Sequence, residues 1–286
     1  MTFDVNIIST GSKGNCVVID DKIVLDAGLS KKKVTESGYD LDNMEFLFVS
    51  HKHADHKNLA FIKFAIEKKR EVEYNGKFEK VPQVAVHIPR AVYDELRDHY
   101  KTFEPDDHDN IFVHYDTEEV QLTTTDGQDY ILRKHAQKHY DIINYAIVIE
   151  HDGERMLYVT DLDTVEPTDV GPGLTSLGMF DTIVMEGNYD EIWLRDYINI
   201  AGAALDDELD LSSYNDEELD KYVRENYRHI PKEISAGLFR AVQNMRHLSK
   251  QQARAFVRNH LNKGGVYYEV HRSSMFYERP EGWTLG

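Results

Sequence analysis

The run His51-Lys52-His53-Ala54-Asp55-His56 constrains this chain more than any other feature, because three imidazoles and a carboxylate fall within six residues. In an extended segment residues two apart point to the same side, so His51 and His53 address one ion while the chain turns and presents Asp55 and His56 to a second. Cys16 is the only cysteine, which leaves no partner for an internal disulfide or a thiolate-rich structural zinc site. Imidazole with carboxylate suits zinc, manganese, iron, cobalt or nickel. A solvated polar loop is the plainer reading, and the density of ligand types argues against it.

The surrounding pattern places this run on a strand-to-helix loop. Met44 to Val49 is a short apolar run of strand length, and Leu59 to Lys69 carries apolar residues at helical spacing (Leu59, Ile62, Ala65, Ile66). Upstream, Phe3 to Ile8, Cys16 to Ile19 and Lys22 to Leu25 alternate with turn-rich segments and predict a β-meander. Downstream, strands are expected at Gln83 to His87, Asn110 to Tyr115, Val120 to Thr124, Tyr130 to Lys134, Asn144 to Glu150, Met156 to Thr160, Thr182 to Met185 and Val266 to His271. Helices are expected at Ala91 to Tyr100, Pro231 to Met245 and Ser249 to Leu261. Many short strands with few helices predict a layered α/β fold on mixed sheets, in one domain over 1–286.

Composition bounds the partners. With 41% hydrophobic residues the chain has material for a packed core, and no run approaches the roughly 18 apolar residues of a membrane span. No basic-then-apolar leader opens the sequence, so a cytoplasmic location and no membrane partner are expected. The net charge of −18 repels long polyanions and favours a small substrate over wholesale duplex binding. The basic segments Lys31 to Lys33 and Lys68 to Arg70 are short and scattered. Between Asp206 and Asp220 there are eight acids and no bases, read as an exposed acidic insertion at about 199–232.

Two ions need more ligands than one loop supplies, among them an anion between them. Asp161, first to emerge after the strand ending at Thr160, is the bridging candidate, with Asp163 as its rival. His135 and His139 both precede the strand that ends at Glu150, and His247 opens a helix capped by Ser249. Asp26 is placed to orient a ligand imidazole through its other ring nitrogen.

These motifs resemble the HxHxDH signature of the metallo-β-lactamase superfamily, in its order of early meander, mid-chain His, Thr-Asp after a strand and late His. Within it the chain is most similar to the YycJ/WalJ group, which is related to phage cyclic-nucleotide phosphodiesterases that defeat Pycsar defence and, more distantly, to tRNase Z. Ser9 to Asn15, Glu186 to Asp190 and His247-Leu248-Ser249 carry the narrower likeness. Tyr189 departs from it, standing where that group usually has His, as does the acidic insertion.

The resemblance implies an αββα sandwich of two mixed β-sheets flanked by helices. It implies that His51, His53 and the mid-chain His, with His139 preferred, bind one metal, that Asp55, His56 and His247 bind the other, and that Asp161 bridges. The expected activity is hydrolysis of a phosphodiester, in a cyclic nucleotide or nucleic acid, by two divalent ions, zinc or manganese, with Asp55 managing the attacking water. Hydrolysis of a carbon ester, thioester or lactam by the same centre, or nucleotide binding without turnover, are the alternatives. Related small phosphodiesterases pair, so a homodimer is a further expectation.

Overall fold

The computed structural model describes residues 3–101, 108–114, 119–140, 142–200, 216–226 and 232–280. It builds an α/β fold with mixed sheets and helices. The acidic stretch falls largely outside the described residues, apart from a helix over Asp216–Asn226.

The chain divides into two compact units, one of Met1–His135 with Ile147–Met156, the other of Ala136–Ala146 with Leu157–Gly286. The first unit is organised by six strands: β1 (Val5–Ser9), β2 (Cys16–Ile19), β3 (Ile23–Leu25), β4 (Phe46–Phe48), β7 (Ala85–Pro89) and β8 (Ile111–His114), in the order β1-β2-β3-β4-β7-β8. The early meander pairs antiparallel, and β3, β4, β7 and β8 then run parallel. Because β3 and β4 are parallel, Asp26 and His51 leave the sheet at the same end, as chemistry between them requires.

Three helices precede β8: α1 (Lys31–Glu36), α2 (Leu59–Glu67) and α3 (Arg90–His99). Asn58 caps α2 by accepting from the Phe61 N–H at 3.0 Å. Its face of Phe61, Ile62, Ala65 and Ile66 joins Leu47, Val49, Val86 and Ile88 in one apolar cluster. The helix stops two residues earlier than expected, because Lys69 starts a hairpin, β5 (Lys69–Tyr74) and β6 (Lys77–Pro82), that forms a separate two-stranded sheet. Asn75-Gly76, with φ of 53° and 76°, is the two-residue turn that closes this hairpin.

The second sheet orders β14-β13-β12-β11-β10-β9, from β9 (Glu119–Thr123), β10 (Asp129–His139), β11 (Ile142–His151), β12 (Glu154–Val159), β13 (Phe180–Glu186) and β14 (Leu261–Val270). The chain passes between units within β10, β11 and β12. In the second unit, α4 (Glu191–Ile200) and α6 (Lys232–Asn244) share a cluster of Trp193, Leu194, Tyr197, Leu238 and Val242, while α5 is the helix at Asp216–Asn226. Helix α7 (Lys250–His260) begins in a reciprocal capping box between Ser249 and Gln252. No helix among the described residues is long and apolar enough to cross a membrane.

One buried cluster in the first unit makes stability depend on pH. His87 is stacked between Phe46 and Phe112, with ring centroids 4.7 and 4.6 Å away, and Lys134 Nζ lies 3.3 Å from His114 Nδ1. Burial first, and the Lys134 charge second, press the His87 pKa down to about 3. Burial, Lys134 and His87 hold His114 well below its ordinary value as well. Unfolded imidazoles take up protons below pH ~6.5 while these folded ones do not, so their contribution is complete above that pH and is lost as pH falls toward about 3. The expected loss is about 1.4 kcal/mol per pH unit for each histidine. Urea unfolding of wild type and His87→Phe between pH 7 and pH 5 checks this, and the variant should show the shallower decline.

Candidate metal centre

In the first unit the histidine run follows β4 and is held by backbone and side-chain contacts. Asp26 leaves β3 with φ of 62°, a left-handed turn that an aspartate tolerates, and its N–H donates to the Phe48 carbonyl at 2.7 Å. Its buried carboxylate accepts from the Ser50 N–H at 2.7 Å and from His56 Nδ1 at 2.8 Å. That second bond sets the tautomer, turning His56 Nε2 outward as the ligand atom. Ser50 Oγ lies 3.0 Å from His51 Nδ1.

His51 Nε2 and His53 Nδ1 face each other at 3.1 Å. Two nitrogens each about 2.0–2.1 Å from one ion sit about 3.0–3.4 Å apart, so this pair already has the spacing of two ligands on one metal. The donor set is nitrogen and oxygen throughout, and Cys16 is no rival, since burial pushes its thiol up to about 12.

The far side of the loop is pinned by the Ser9 to Asn15 stretch. The Asn15 N–H donates to the Asp55 carbonyl at 2.6 Å, the Ala27 N–H to the His56 carbonyl at 2.9 Å, and the Gly28 N–H to the Asn15 carbonyl at 2.9 Å. The Asn15 side chain reaches His56 Nε2 at 2.8 Å and Asp55 Oδ2 at 3.4 Å. Asn15 therefore touches two ligand candidates, a role its motif membership flagged without specifying.

In the second unit the centre of gravity is Asp161, which has φ of 57° at the end of β12. Its carboxylate lies 3.1 Å from His271 Nε2, 3.8 Å from His247 Nδ1 and 3.8 Å from His139 Nε2. Ligand atoms of Asp161, Glu186, His247 and His271 all fall within 4.8 Å of one another. Asn144 fixes the turn by donating to the Asp161 carbonyl at 2.8 Å.

Asp163 lies behind His139. It sits 3.3 Å from His139 Nδ1 and accepts the Tyr140 N–H at 3.0 Å, which directs His139 Nε2 toward Asp161. His139 itself is the last residue of β10, five residues beyond the expected strand end. Burial follows even positions up to Lys134 and odd positions from Gln137, and this change of face buries His139 while His135 stays half-buried.

Two residues of the Glu186 to Asp190 stretch each serve a histidine. Fully buried Glu186 accepts a hydrogen bond from His247 Nδ1 at 3.0 Å on one oxygen, while its other oxygen accepts the Leu162 and Leu248 N–H groups. Burial works against charge on His247, yet Glu186 and then Asp161 and Asp163 hold its pKa up at about 9. Asn188 lies 3.1 Å from His271 Nδ1 and donates to the His271 carbonyl at 2.9 Å. Tyr189, the departure from the related group, is buried with Trp193 and Leu194 in the apolar cluster.

His271 is not among the ligand candidates that the sequence offers. It has φ of 55°, and with Asp26, Tyr140 and Asp161 it makes four left-handed non-glycine residues at or next to candidate ligands. Strain of this kind persists where surrounding contacts over-determine it, and it clusters at functional sites.

The Beta-lactamase superfamily domain matches residues 21–208, and the chain belongs to that superfamily. Its fold is similar to that of the short form of human tRNase Z (TM-score 0.51, 12% identity, covering 94% of this chain and 93% of that one). Weaker likenesses are to the metallo-beta-lactamase fold protein YhfI from Bacillus subtilis (TM-score 0.44, 14% identity, 93% and 96% covered) and zinc-bound PqqB from Methylobacterium extorquens (0.45, 10%, 70% and 77%). No curated protein matches the sequence.

Proposed function

We propose that the chain is a dinuclear-metal-dependent phosphodiesterase acting on a cyclic nucleotide or nucleic acid. The observation that carries this reading is the gathering of His139, His247 and His271 on the single carboxylate of Asp161, with Glu186 behind His247. On this reading His51, His53 and His139 would hold one divalent ion and Asp55, His56 and His271 the other, with Asp161 as a shared anionic ligand. His271 is preferred to His247 as a ligand because its Nε2 lies nearer Asp161 and its Nδ1 faces Asn188, while Glu186 claims His247 Nδ1.

Two zinc or manganese ions so held would polarise a phosphoryl oxygen and acidify the attacking water. Asp55 would orient the attacking water and take up its proton. His247, whose Nδ1 is hydrogen-bonded to Glu186, would be placed to supply a proton to the leaving oxygen. Asp26 bonds His56 Nδ1 and would hold that ring with Nε2 toward an ion, while Asp163 flanks His139 Nδ1 at 3.3 Å. The tRNase named among the similar folds supports a phosphodiester over a carbon ester, and the net charge of −18 favours the smaller substrate.

The test is a substrate panel with manganese and zinc: bis-p-nitrophenyl phosphate, 3′,5′- and 2′,3′-cyclic nucleotides and oligonucleotides, against nitrocefin and a thioester. Turnover confined to phosphodiesters is expected. His247→Ala should keep its metal and lose about 10²–10⁴-fold in kcat on a nucleotide, with a smaller loss on the nitrophenyl ester, whose leaving group needs no proton. Nitrocefin or thioester turnover without phosphodiester turnover would sink the reading, as would nucleotide binding with no turnover.

A further inference from the structure

The hairpin β5–β6 stands apart from both large sheets, and every side chain from Lys69 to Lys80 is exposed, Tyr74 at 66% and Phe78 at 74%. A lone two-stranded ribbon is marginally stable in water, and its free edges are templates for another strand. Its tight turn closes on Tyr74 and Lys77 as a hydrogen-bonded pair, and bonding alternates along the register from there. The backbone groups of Phe78 and Lys80 on β6, and of Lys69, Glu71 and Glu73 on β5, consequently point outward.

Charge selects the partner. Residues 69–82 carry Lys69, Arg70, Lys77 and Lys80 against Glu71, Glu73 and Glu79, four minus three or +1, on a chain of net −18. That is too weak a positive field to hold a polyphosphate strand. It is the patch on which two copies of so acidic a chain approach without mutual repulsion.

We propose that β6 pairs antiparallel with β6 of a second copy, about a two-fold axis through Phe78. In that register Phe78 meets its counterpart, the outward N–H and C=O groups form two reciprocal hydrogen bonds, and Lys77 stands opposite Glu79 of the second copy on each side. The other symmetric registers are worse. Axes through Lys69, Arg70, Glu71, Glu73, Lys77, Glu79 or Lys80 set a charge against itself, and one through Val72 sets Glu71 against Glu73. An axis through Tyr74 engages only the turn, and one through Val81 meets Pro82, which has no N–H.

Cysteine cross-linking tests this, since native Cys16 is buried. Paired Phe78 residues would have Cα atoms about 5.5 Å apart, within the span of a disulfide. Mild oxidation should convert Phe78→Cys to a covalent dimer and leave Glu71→Cys, on the opposite edge, monomeric. Sedimentation of the wild type should show a concentration-dependent dimer that Phe78→Lys abolishes. Equal cross-linking of the two variants, or none with Phe78→Cys, overturns the proposal, and so does a dimer that survives Phe78→Lys.

Discussion

Asp161→Ala is expected to abolish phosphodiester turnover and to release at least one of two bound ions. Three histidines converge on this carboxylate: His139 from the end of β10, His247 from the turn before α7 and His271 from just past β14. Removing it takes the proposed bridge from both ions and leaves His271 facing a gap. The loss should exceed the roughly 10–100-fold that follows removal of an outer partner of a metal ligand. Asp163→Ala supplies that comparison, because Asp163 meets the outer nitrogen of His139 and the Tyr140 N–H. Metal content by elemental analysis, read beside kcat, separates the two. Equal losses in both variants would mean that Asp161 does not bridge.

Gly28→Ala is expected to be the most damaging substitution at a position with no chemistry of its own. A Cβ there would lie 1.8 Å from the Asp55 carbonyl oxygen and 2.6 Å from the Asn15 nitrogen. Both are backbone atoms, and both belong to the bonds that pin the ligand loop, so neither can swing aside as a flexible side chain would. Overpacking costs about 1–3 kcal/mol and more where the neighbours are rigid. A fall in Tm on the order of 5–10 °C should follow, with weaker metal binding because Asp55 and His56 move with the backbone. Thermal unfolding and metal titration measure the two effects. Unchanged values for both would show that the loop is softer than its hydrogen bonds imply.

Much of this was legible before any coordinates. The meander, the apolar run before His51, the helix after it and the mixed-sheet class follow from periodicity and turn residues, which act locally. What stayed hidden depends on backbone irregularity. His139 sits on a face that changes partway along β10. The last strand starts at Leu261, five residues before the expected start at Val266. A register shift absorbs Asn262 to Gly265 between the pairs Phe180 with Leu261 and Thr182 with Val266, where the sequence suggests only a turn. His271 lies one residue past that strand in a left-handed conformation, and no motif marks it. Glu186 belonged to a recognised stretch, but its partner His247 is 61 residues away, and no local pattern carries that pairing.

The buried Glu186 carboxylate also has a consequence for synthesis. It is bonded to Leu162 and Leu248 through their N–H groups and to the His247 ring, and Asn188 two residues on holds His271. A nascent chain that has emerged only as far as β13 presents a carboxylate with its downstream imidazole still inside the ribosome. The contacts around Glu186 and Asn188 are therefore complete only once the chain past His271 has emerged.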